Sequence, residues 1–159
     1  TILLINKKKN MLDIQTINKG SDFKNNLNRN DFVNFLYTHL EPFGDEKKAI
    51  DKCIDYAFST EAGKGGFLLA AYNNDELAGA LIMNDTGMEG YIPEHILVYI
   101  AVNSKFRNQG IGKQIVDAAL EIAQGDIALH VEYNNPAKRL YERLGFESKY
   151  AEMRLKRDH

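Results

Sequence analysis

The sequence predicts a single domain of mixed α/β class, and three observations support this prediction. The chain has 159 residues, which is the length of one ordinary domain. Predicted strands come in runs and also alternate with helices, in the order β, α, α, β, β, β, α, β, α, β, β, which favours a mixed sheet. A strand at 96–102, a helix at 111–124 and a strand ending at 132 predict one right-handed parallel crossover.

The N-terminal part predicts one strand and two helices. Alternating apolar residues at 12–17 indicate the strand. Apolar side chains then recur at steps of three to five residues over 21–39, which indicates a helix, with a helix broken near 28–30 as the alternative. Pro42 interrupts this pattern. Asp45 is expected to cap a second helix over 45–58.

The middle of the chain predicts an antiparallel hairpin and a central strand. Two β-type runs, 67–72 and 77–83, flank the turn sequence Asn73-Asn74-Asp75. The segment 95–102, HILVYIAV, is almost entirely apolar and rich in β-branched and aromatic residues. Such a continuous run is typical of a strand that is covered on both faces.

The C-terminal part predicts two helices and three strands. An amphipathic helix at 111–124 precedes a strand at 127–132. A short helix over 134–144 follows, and two β segments at 146–150 and 151–155 close the chain.

Composition excludes several classes of protein. Hydrophobic residues make up 44% and charged residues 26%, so intrinsic disorder is not the main state. The single cysteine, Cys53, excludes a disulfide framework and a cysteine zinc site, and we expect no metal. One thiol suits a reducing compartment, so we expect a cytoplasmic protein. A net charge of -2 and the short apolar run 96–102 predict neither a nucleic-acid partner nor a membrane span.

The first ten residues, TILLINKKKN, predict an N-terminal extension. Their apolar start and following lysines reverse the order of a signal peptide. Met11 then opens the first predicted strand. We therefore predict an extension at 1–10 and one domain at 11–159, with a native leader at 1–10 as the alternative.

The most informative segment is the glycine-containing loop after the central strand. It is composed of Arg107, Asn108, Gln109, Gly110, Ile111, Gly112 and Lys113. The first turn of a helix offers unpaired N–H groups and a partial positive charge, and glycines let a ligand approach the backbone. The loop therefore predicts a phosphate or pyrophosphate site, with a plain strand-to-helix turn as the alternative.

Two phosphate-binding patterns fit this loop poorly. A P-loop requires serine or threonine where this chain has Gln114. The dinucleotide-binding fingerprint is matched by Gly110, by Gly112 and by the acidic Glu132 at the end of the next predicted strand. It is not matched at its third glycine position, where this chain has Ile115. An NAD-dependent oxidoreductase is therefore an alternative, although a weaker one.

A third pattern, R/Q-x-x-G-x-G/A, matches Arg107, Gly110 and Gly112 without a gap. Downstream, the chain also matches N-x-x-A-x-x-L-Y-E-K-x-G-F, with Arg143 in place of the lysine. The residues of this second match are Asn134, Ala137, Leu140, Tyr141, Glu142, Gly145 and Phe146. With both motifs in order, residues 67–155 resemble the GNAT acetyltransferases.

This resemblance implies a fold and an activity. The implied fold is a central mixed, mostly antiparallel twisted β-sheet of six to seven strands, flanked by about four helices. The implied activity is direct transfer of acetyl from acetyl-CoA to a primary amine of a small molecule, a peptide or a protein. Transfer from another acyl-CoA, and a non-catalytic CoA-binding sensor or partner module, are the alternatives. Family members often pair through edge strands, so the resemblance also implies that a homodimer can form.

The resemblance also implies a set of CoA-binding residues. Backbone groups of Ile100 and Val102 would hold the pantetheine arm, with the Ile100 N–H on the thioester carbonyl. Backbone amides over 109–113 would hold the pyrophosphate, and Lys138 would reach the phosphates. The full implied set is Ile100, Ala101, Val102, Arg107, Asn108, Gln109, Gly110, Ile111, Gly112, Lys113, Asn134 and Lys138.

Two catalytic residues are predicted. By the resemblance, Tyr141 is the general acid that protonates the leaving thiolate. Many relatives carry a glutamate base in mid-strand, where this chain has Ile96 and Val98. Glu94 is the nearest candidate base, acting through water. Four weaker candidates are Tyr91, Glu132, His39 and Glu41.

The acceptor itself is not identified by the sequence. Acidic side chains in two predicted loops would attract a cationic amine, with a solvated surface as the alternative for most of them. They are Glu41, Asp45, Glu46, Asp85 and Glu89.

Overall fold

A computed structural model describes residues 12–24 and 26–158, so the extension predicted at 1–10 lies outside the described residues. The strands are β1 (Asp13–Ile17), β2 (Gly66–Asn73), β3 (Glu76–Asp85), β4 (His95–Val102) and β5 (Ile127–Ala128). The helices are α1 (Arg29–Leu40), α2 (Lys47–Phe58), α3 (Ile111–Ile122) and α4 (Ala137–Arg143). Two 3-10 turns cover Gly20–Asp22 and Ser104–Phe106.

The five strands form one sheet in the order β1-β2-β3-β4-β5. The first three pairings are antiparallel, and only β4 and β5 run parallel. The predicted class, the mostly antiparallel sheet, the four helices and the single parallel crossover are therefore confirmed.

Helices cover both faces of the sheet, and each face has its own core. On one face, α1 and α2 contribute Phe32, Leu36, Ile50 and Ile54, all fully buried. On the other face, α3 contributes Ile111, Ile115, Val116 and Ala119. β2 supplies both cores because its successive side chains alternate between the faces. This explains why 67–72 is a continuous apolar run.

Local sequence signals explain two of the element boundaries. Asn28 begins α1 with a capping box, in which its side chain accepts from the Asp31 N–H and the Asp31 side chain accepts from the Asn28 N–H. Asn74 and Asp75 have φ values of 47° and 66°, which a tight hairpin turn between β2 and β3 requires.

Three predicted β segments are wrong in part or entirely. The strand predicted at 127–132 ends at Ala128, and 146–150 and 151–155 have no regular structure. The described residues thus form five strands, not six or seven. A strand needs a neighbour to satisfy its backbone groups, and β5 is too short to offer one to the last segments.

The predicted cap of α2 is also wrong. Glu46 precedes the helix, and no side chain caps it. Asp45 instead accepts a hydrogen bond from the Tyr99 hydroxyl at 2.5 Å. A carboxylate can accept a hydrogen bond from a helix N–H or from a phenol. In the folded chain, the Tyr99 phenol is the donor within reach of Asp45.

The described residues lack two kinds of feature. Over 12–24 and 26–158, no helix is long and apolar enough to cross a membrane. The same residues contain no group of three or more histidine, cysteine or acidic side chains placed to hold a metal ion.

Candidate active site

The parallel strands β4 and β5 part soon after they meet. Their pairing covers only His95 with Ile127 and Ile96 with Ala128. From Leu97 onward, β4 has no neighbouring strand on that side within the described residues. The result is a wedge-shaped gap that exposes one edge of the central strand.

A β-bulge in β4 lies where the gap opens. Ile82 pairs with Tyr99 and Met83 pairs with Leu97, so Val98 is the additional residue on β4. A bulge bends the strand and increases its local twist. It also reverses the alternation of side chains, because Leu97 packs in the α3 core whereas Tyr99 packs against the α1–α2 core.

The main-chain groups of Ile100 and Val102 face the open edge. The Asn103 N–H donates to the Ala78 carbonyl of β3 at 2.8 Å, which fixes its direction toward β3. Main-chain groups of successive strand residues point to opposite edges, so those of Val102 and Ile100 point away from β3. Ala101 faces β3 with its main chain, and its side chain is buried.

Beyond β4, the loop residues 103–110 lead into α3. Asn108 and Gly110 adopt left-handed conformations, with φ values of 62° and 76°. No backbone N–H of 108–113 donates a hydrogen bond to any described residue. These groups include the unpaired amides of the first turn of α3, which carries the positive end of the helix dipole.

Gly112 lies where α3, α4 and the end of β4 meet. A Cβ atom there would lie 3.1 Å from Leu140 Cδ2 and 3.7 Å from Val102 Cγ2. The two sequence motifs are therefore in contact in the fold. The neighbouring Ile111 side chain is buried in the α3 core, and Gln109 is exposed.

The two basic side chains of this loop are engaged within the protein. The Arg107 Nη2 donates to the His39 carbonyl at 2.8 Å, which links the loop to the end of α1. The Lys113 Nζ pairs with Asp117 at 2.6 Å. Burial and the Arg107 charge lower the pKa of His39.

Tyr141 is the buried residue of α4. It is 8% exposed, and its ring packs edge-on against Phe146 with centroids 5.9 Å apart. Burial, together with the nearby Glu132 charge, raises the pKa of Tyr141 to about 12. A phenol is protonated at neutral pH even at its ordinary pKa, so Tyr141 can donate a hydrogen bond.

The other two predicted CoA contacts flank Tyr141. Lys138 pairs with Glu142 one turn later on α4, at 2.5 Å. Asn134 is exposed just before the helix, and its side chain bonds no described residue. The side chain of the adjacent Asn135 accepts from the N–H of Ala137, the first residue of the helix, at 2.9 Å.

Glu94 lies at the closed end of the gap. Its carboxylate accepts from the Asp126 N–H at 2.7 Å and from the Gly90 N–H at 3.4 Å. The bond from Asp126 is the main cause of its lowered pKa, which makes it a weaker base. Ile100 lies six positions further along the chain, or about 20 Å away in an extended strand. These contacts favour a structural role, joining the start of β4 to the segment before β5.

Sequence reasoning missed two polar contacts of β4. His95 places Nδ1 2.8 Å from Asp85 Oδ1 and Nε2 2.6 Å from the Gln124 carbonyl, at the closed end of the gap. Tyr99 bonds Asp45 on the α1–α2 face. His95 and Tyr99 are polar residues within an apolar run, and this could have marked them as sites of specific contacts. Their partners could not be identified because they lie 10 to 54 residues away in the sequence.

The arrangement suits an extended ligand that carries phosphate. Free backbone amides at a helix N-terminus bind anionic oxygens. An open strand edge binds an extended amide-containing arm as a further strand would. The described residues therefore fit the pyrophosphate and pantetheine portions of CoA.

A known protein with a similar sequence is an acetyltransferase. N-alpha-acetyltransferase 30 of Schizosaccharomyces pombe is 31% identical over 85 residues. This alignment covers 50% of the chain and 57% of the relative, so the chain spans little more than half of that protein's length.

Solved structures share the fold. A possible acetyltransferase from Clostridium difficile 630 superposes with a TM-score of 0.65 at 17% identity, covering 93% of this chain and 99% of that one. Aminoglycoside N-acetyltransferase AAC(6')-Iy in complex with CoA gives a TM-score of 0.63 at 17% identity, covering 92% and 95%.

The sequence also matches a family model. Residues 29–146 match the acetyltransferase (GNAT) family. The match includes both helices of the first face, the whole of β4, the glycine loop and α4. The chain belongs to the acetyltransferase (GNAT) family.

Proposed function

We propose that the protein is an N-acetyltransferase that moves acetyl from acetyl-CoA to a primary amine by direct attack. One observation carries the proposal: the open edge of β4 leads directly into a loop whose amides at 108–113 are unpaired within the described residues. Together they offer a continuous path of backbone donors and acceptors for an arm and its pyrophosphate.

The chain's residues would divide the reaction between them. The Ile100 N–H would donate to the thioester carbonyl, and this bond would strengthen as negative charge develops on the oxygen. Tyr141, whose phenol is protonated at neutral pH as any tyrosine's is, would donate its proton to the leaving thiolate. The acceptor must lose one proton, since a lysine-like amine has a pKa of about 10.4.

The acceptor we favour is an unblocked amine on a peptide or protein. Support comes from the name of the Schizosaccharomyces pombe relative, an N-alpha-acetyltransferase. A small-molecule amine is the other acceptor class, as the name of the aminoglycoside N-acetyltransferase neighbour illustrates.

Calorimetric titration with acetyl-CoA, with NAD as control ligand, tests the binding step. We expect acetyl-CoA to bind and NAD to give no heat. A thiol-release assay with trialanine, N-α-acetyl-lysine and spermidine then tests transfer. Thiol release that depends on one of these amines supports the proposal. Binding of NAD in place of acetyl-CoA would contradict it.

A second candidate is a CoA-binding module without turnover. The observation in its favour is the apolar pair Ile96 and Val98 at the positions where many relatives carry a base, together with the engaged carboxylate of Glu94. Such a module would bind acetyl-CoA but release no thiol with any of the three amines.

A further inference from the structure

The hydrogen bond between Tyr99 and Asp45 connects a loop to the residue that directly precedes Ile100. The Tyr99 hydroxyl donates to Asp45 Oδ2 at 2.5 Å. Tyr99 directly follows the bulge residue Val98 and directly precedes Ile100, whose main chain faces the open edge. Asp45 belongs to the loop at 41–46 that joins α1 to α2. The contact therefore joins that loop to the middle of the central strand.

Among the described residues, two of the approaches to Ile100 are already taken. On the α3 face, the Ile100 side chain packs against the core that contains Ile111 and Ile115. The open edge of β4 is the place proposed for the pantetheine arm. The α1–α2 face, where Tyr99 projects and the 41–46 loop borders the strand, is what remains.

Asp45 differs from the other carboxylates that the sequence singled out. Of the three in its loop, Glu41, Asp45 and Glu46, it alone has a hydrogen bond to β4 among the described contacts. Asp85, in contrast, is already paired with His95. A charged side chain that is held at the strand has a fixed position relative to Ile100.

The Asp45 carboxylate has no internal counter-charge in the described part of the chain. No lysine, arginine or histidine nitrogen there lies within 4.0 Å of it. The nearby Lys47 instead places its Nζ over the Tyr37 ring, 5.0 Å from the centroid. Asp45 is exposed, so a cation from solution can reach it.

Tyr99 is built to hold this carboxylate. Its side chain packs against the α1–α2 core. Burial, followed by the bond to Asp45, raises the pKa of its phenol, which therefore remains a neutral donor. A neutral donor orients the carboxylate without cancelling its charge.

We propose that Asp45 binds the ammonium group of the acceptor and that Tyr99 is the positioning residue that aims its carboxylate at the Ile100 end of the gap. This assignment rests on the proposed function and names the acceptor class as a primary ammonium. Asp45 would be the specificity-determining contact, and Tyr99 would act only through it.

Asp45→Asn tests the assignment, with Asp13→Asn as the control, which makes the same change at an exposed carboxylate of β1, on the opposite edge of the sheet. Because a charge-assisted hydrogen bond is lost, we expect Asp45→Asn to raise the KM of the best amine about tenfold or more. The KM of acetyl-CoA should stay within about twofold, as should the KM values of Asp13→Asn for the amine and for acetyl-CoA. An equal rise in both variants, or no rise in Asp45→Asn, would overturn the proposal.

The positioning role of Tyr99 has its own readout. Tyr99→Phe should raise the KM of the amine less than Asp45→Asn does, and the double variant should match Asp45→Asn alone, because both changes act on one interaction. Additive effects of the two changes would remove Tyr99 from this role.

Direct binding separates this proposal from the proposed function. Calorimetry of trialanine, N-α-acetyl-lysine and spermidine on the CoA-saturated protein needs no turnover. Wild-type binding that is lost in Asp45→Asn supports the ammonium site even if no thiol is released, in which case only the proposed function fails. If acetyl-CoA binds but none of the three amines binds or is acetylated, the ammonium site is wrong.

Discussion

The middle of the sheet and its β5 edge are built very differently. β2 and β3 pair along their whole length, and Leu81 and Ile82 between them are fully buried on opposite faces. β5 has two residues, and the chain after it leaves Tyr150 83% and Met153 93% exposed. The β2–β3 pair can stabilise the fold by burying apolar side chains. The β5 edge, in contrast, leaves backbone groups of β4 without a hydrogen-bonding strand.

This difference indicates a division of labour within the fold. An edge that is fully paired has no backbone groups left to bind a ligand. The pairing of β4 with β5 ends after Ile96. The main-chain groups of Ile100 and Val102 on that edge are therefore left unpaired, and this is where CoA is proposed to bind. We therefore expect changes in the β2–β3 region to lower stability and changes around the gap to lower binding or turnover.

The largest expected effect is on folding stability. Leu81→Ala removes a fully buried side chain and should lower the free energy of unfolding by about 2–5 kcal/mol. Leu155→Ala makes the same change at a site that is 77% exposed and should have an effect within about 0.5 kcal/mol. Denaturant unfolding measures both, and similar losses would contradict the comparison.

The next effect is on turnover at Tyr141. Tyr141→Phe removes the proposed proton donor and should lower kcat about a hundredfold, while acetyl-CoA affinity changes little. Tyr133→Phe, at a residue that is 86% exposed, is the control and should leave kcat unchanged. Steady-state kinetics and calorimetry provide the two readouts. An unchanged kcat in Tyr141→Phe would remove Tyr141 from this role.

Gly112→Val should act on binding. The added side chain would press on Leu140 and Val102 beside the unpaired amides, so we expect acetyl-CoA affinity to fall more than about tenfold. Gln114→Val introduces the same β-branched residue two positions later, where the side chain is exposed. Calorimetry should show that only the first variant loses affinity. Thermal melts should show both folded, and equal losses would contradict the loop assignment.

The smallest effect is a loss of stability in alkali. Tyr141 has a folded-state pKa of about 12 and an unfolded value of about 10, so the folded chain binds the extra proton. Stability from this residue is present below pH 10 and is lost as the pH rises from 10 to 12. It should cost about 1.4 kcal/mol by pH 11. Wild type should lose more stability than Tyr141→Phe between pH 9 and 11. Parallel losses would contradict the raised pKa.

Features with local signals could be predicted from the sequence. The β2–β3 hairpin follows from Asn74 and Asp75, which tolerate positive φ, and α3 follows from the spacing of its apolar residues. The helix predicted over 21–39 is wrong in its first part, because α1 begins only at Arg29, after its Asn28 cap. The run 95–102 predicted β4 with its observed bounds. The glycine loop and the Tyr141 segment were found because their motifs are short and continuous.

Features that depend on distant partners could not be predicted. An apolar run without alternation hides the bulge at Val98. The segment 146–155 alternates as strands do, but β pairing requires a neighbouring edge that no sequence pattern reports. Asp45 resembles a helix cap locally, and its actual partner Tyr99 lies 54 residues further along the chain.

Amide hydrogen exchange with and without CoA tests the central claim, that the open edge of β4 and the following loop bind CoA. We predict that CoA slows exchange at Ile100, Val102 and residues 109–113. The Ala101 amide, which faces β3, should be unaffected, and NAD should protect none of these amides. CoA binding that leaves Ile100 and Val102 unprotected would contradict the account.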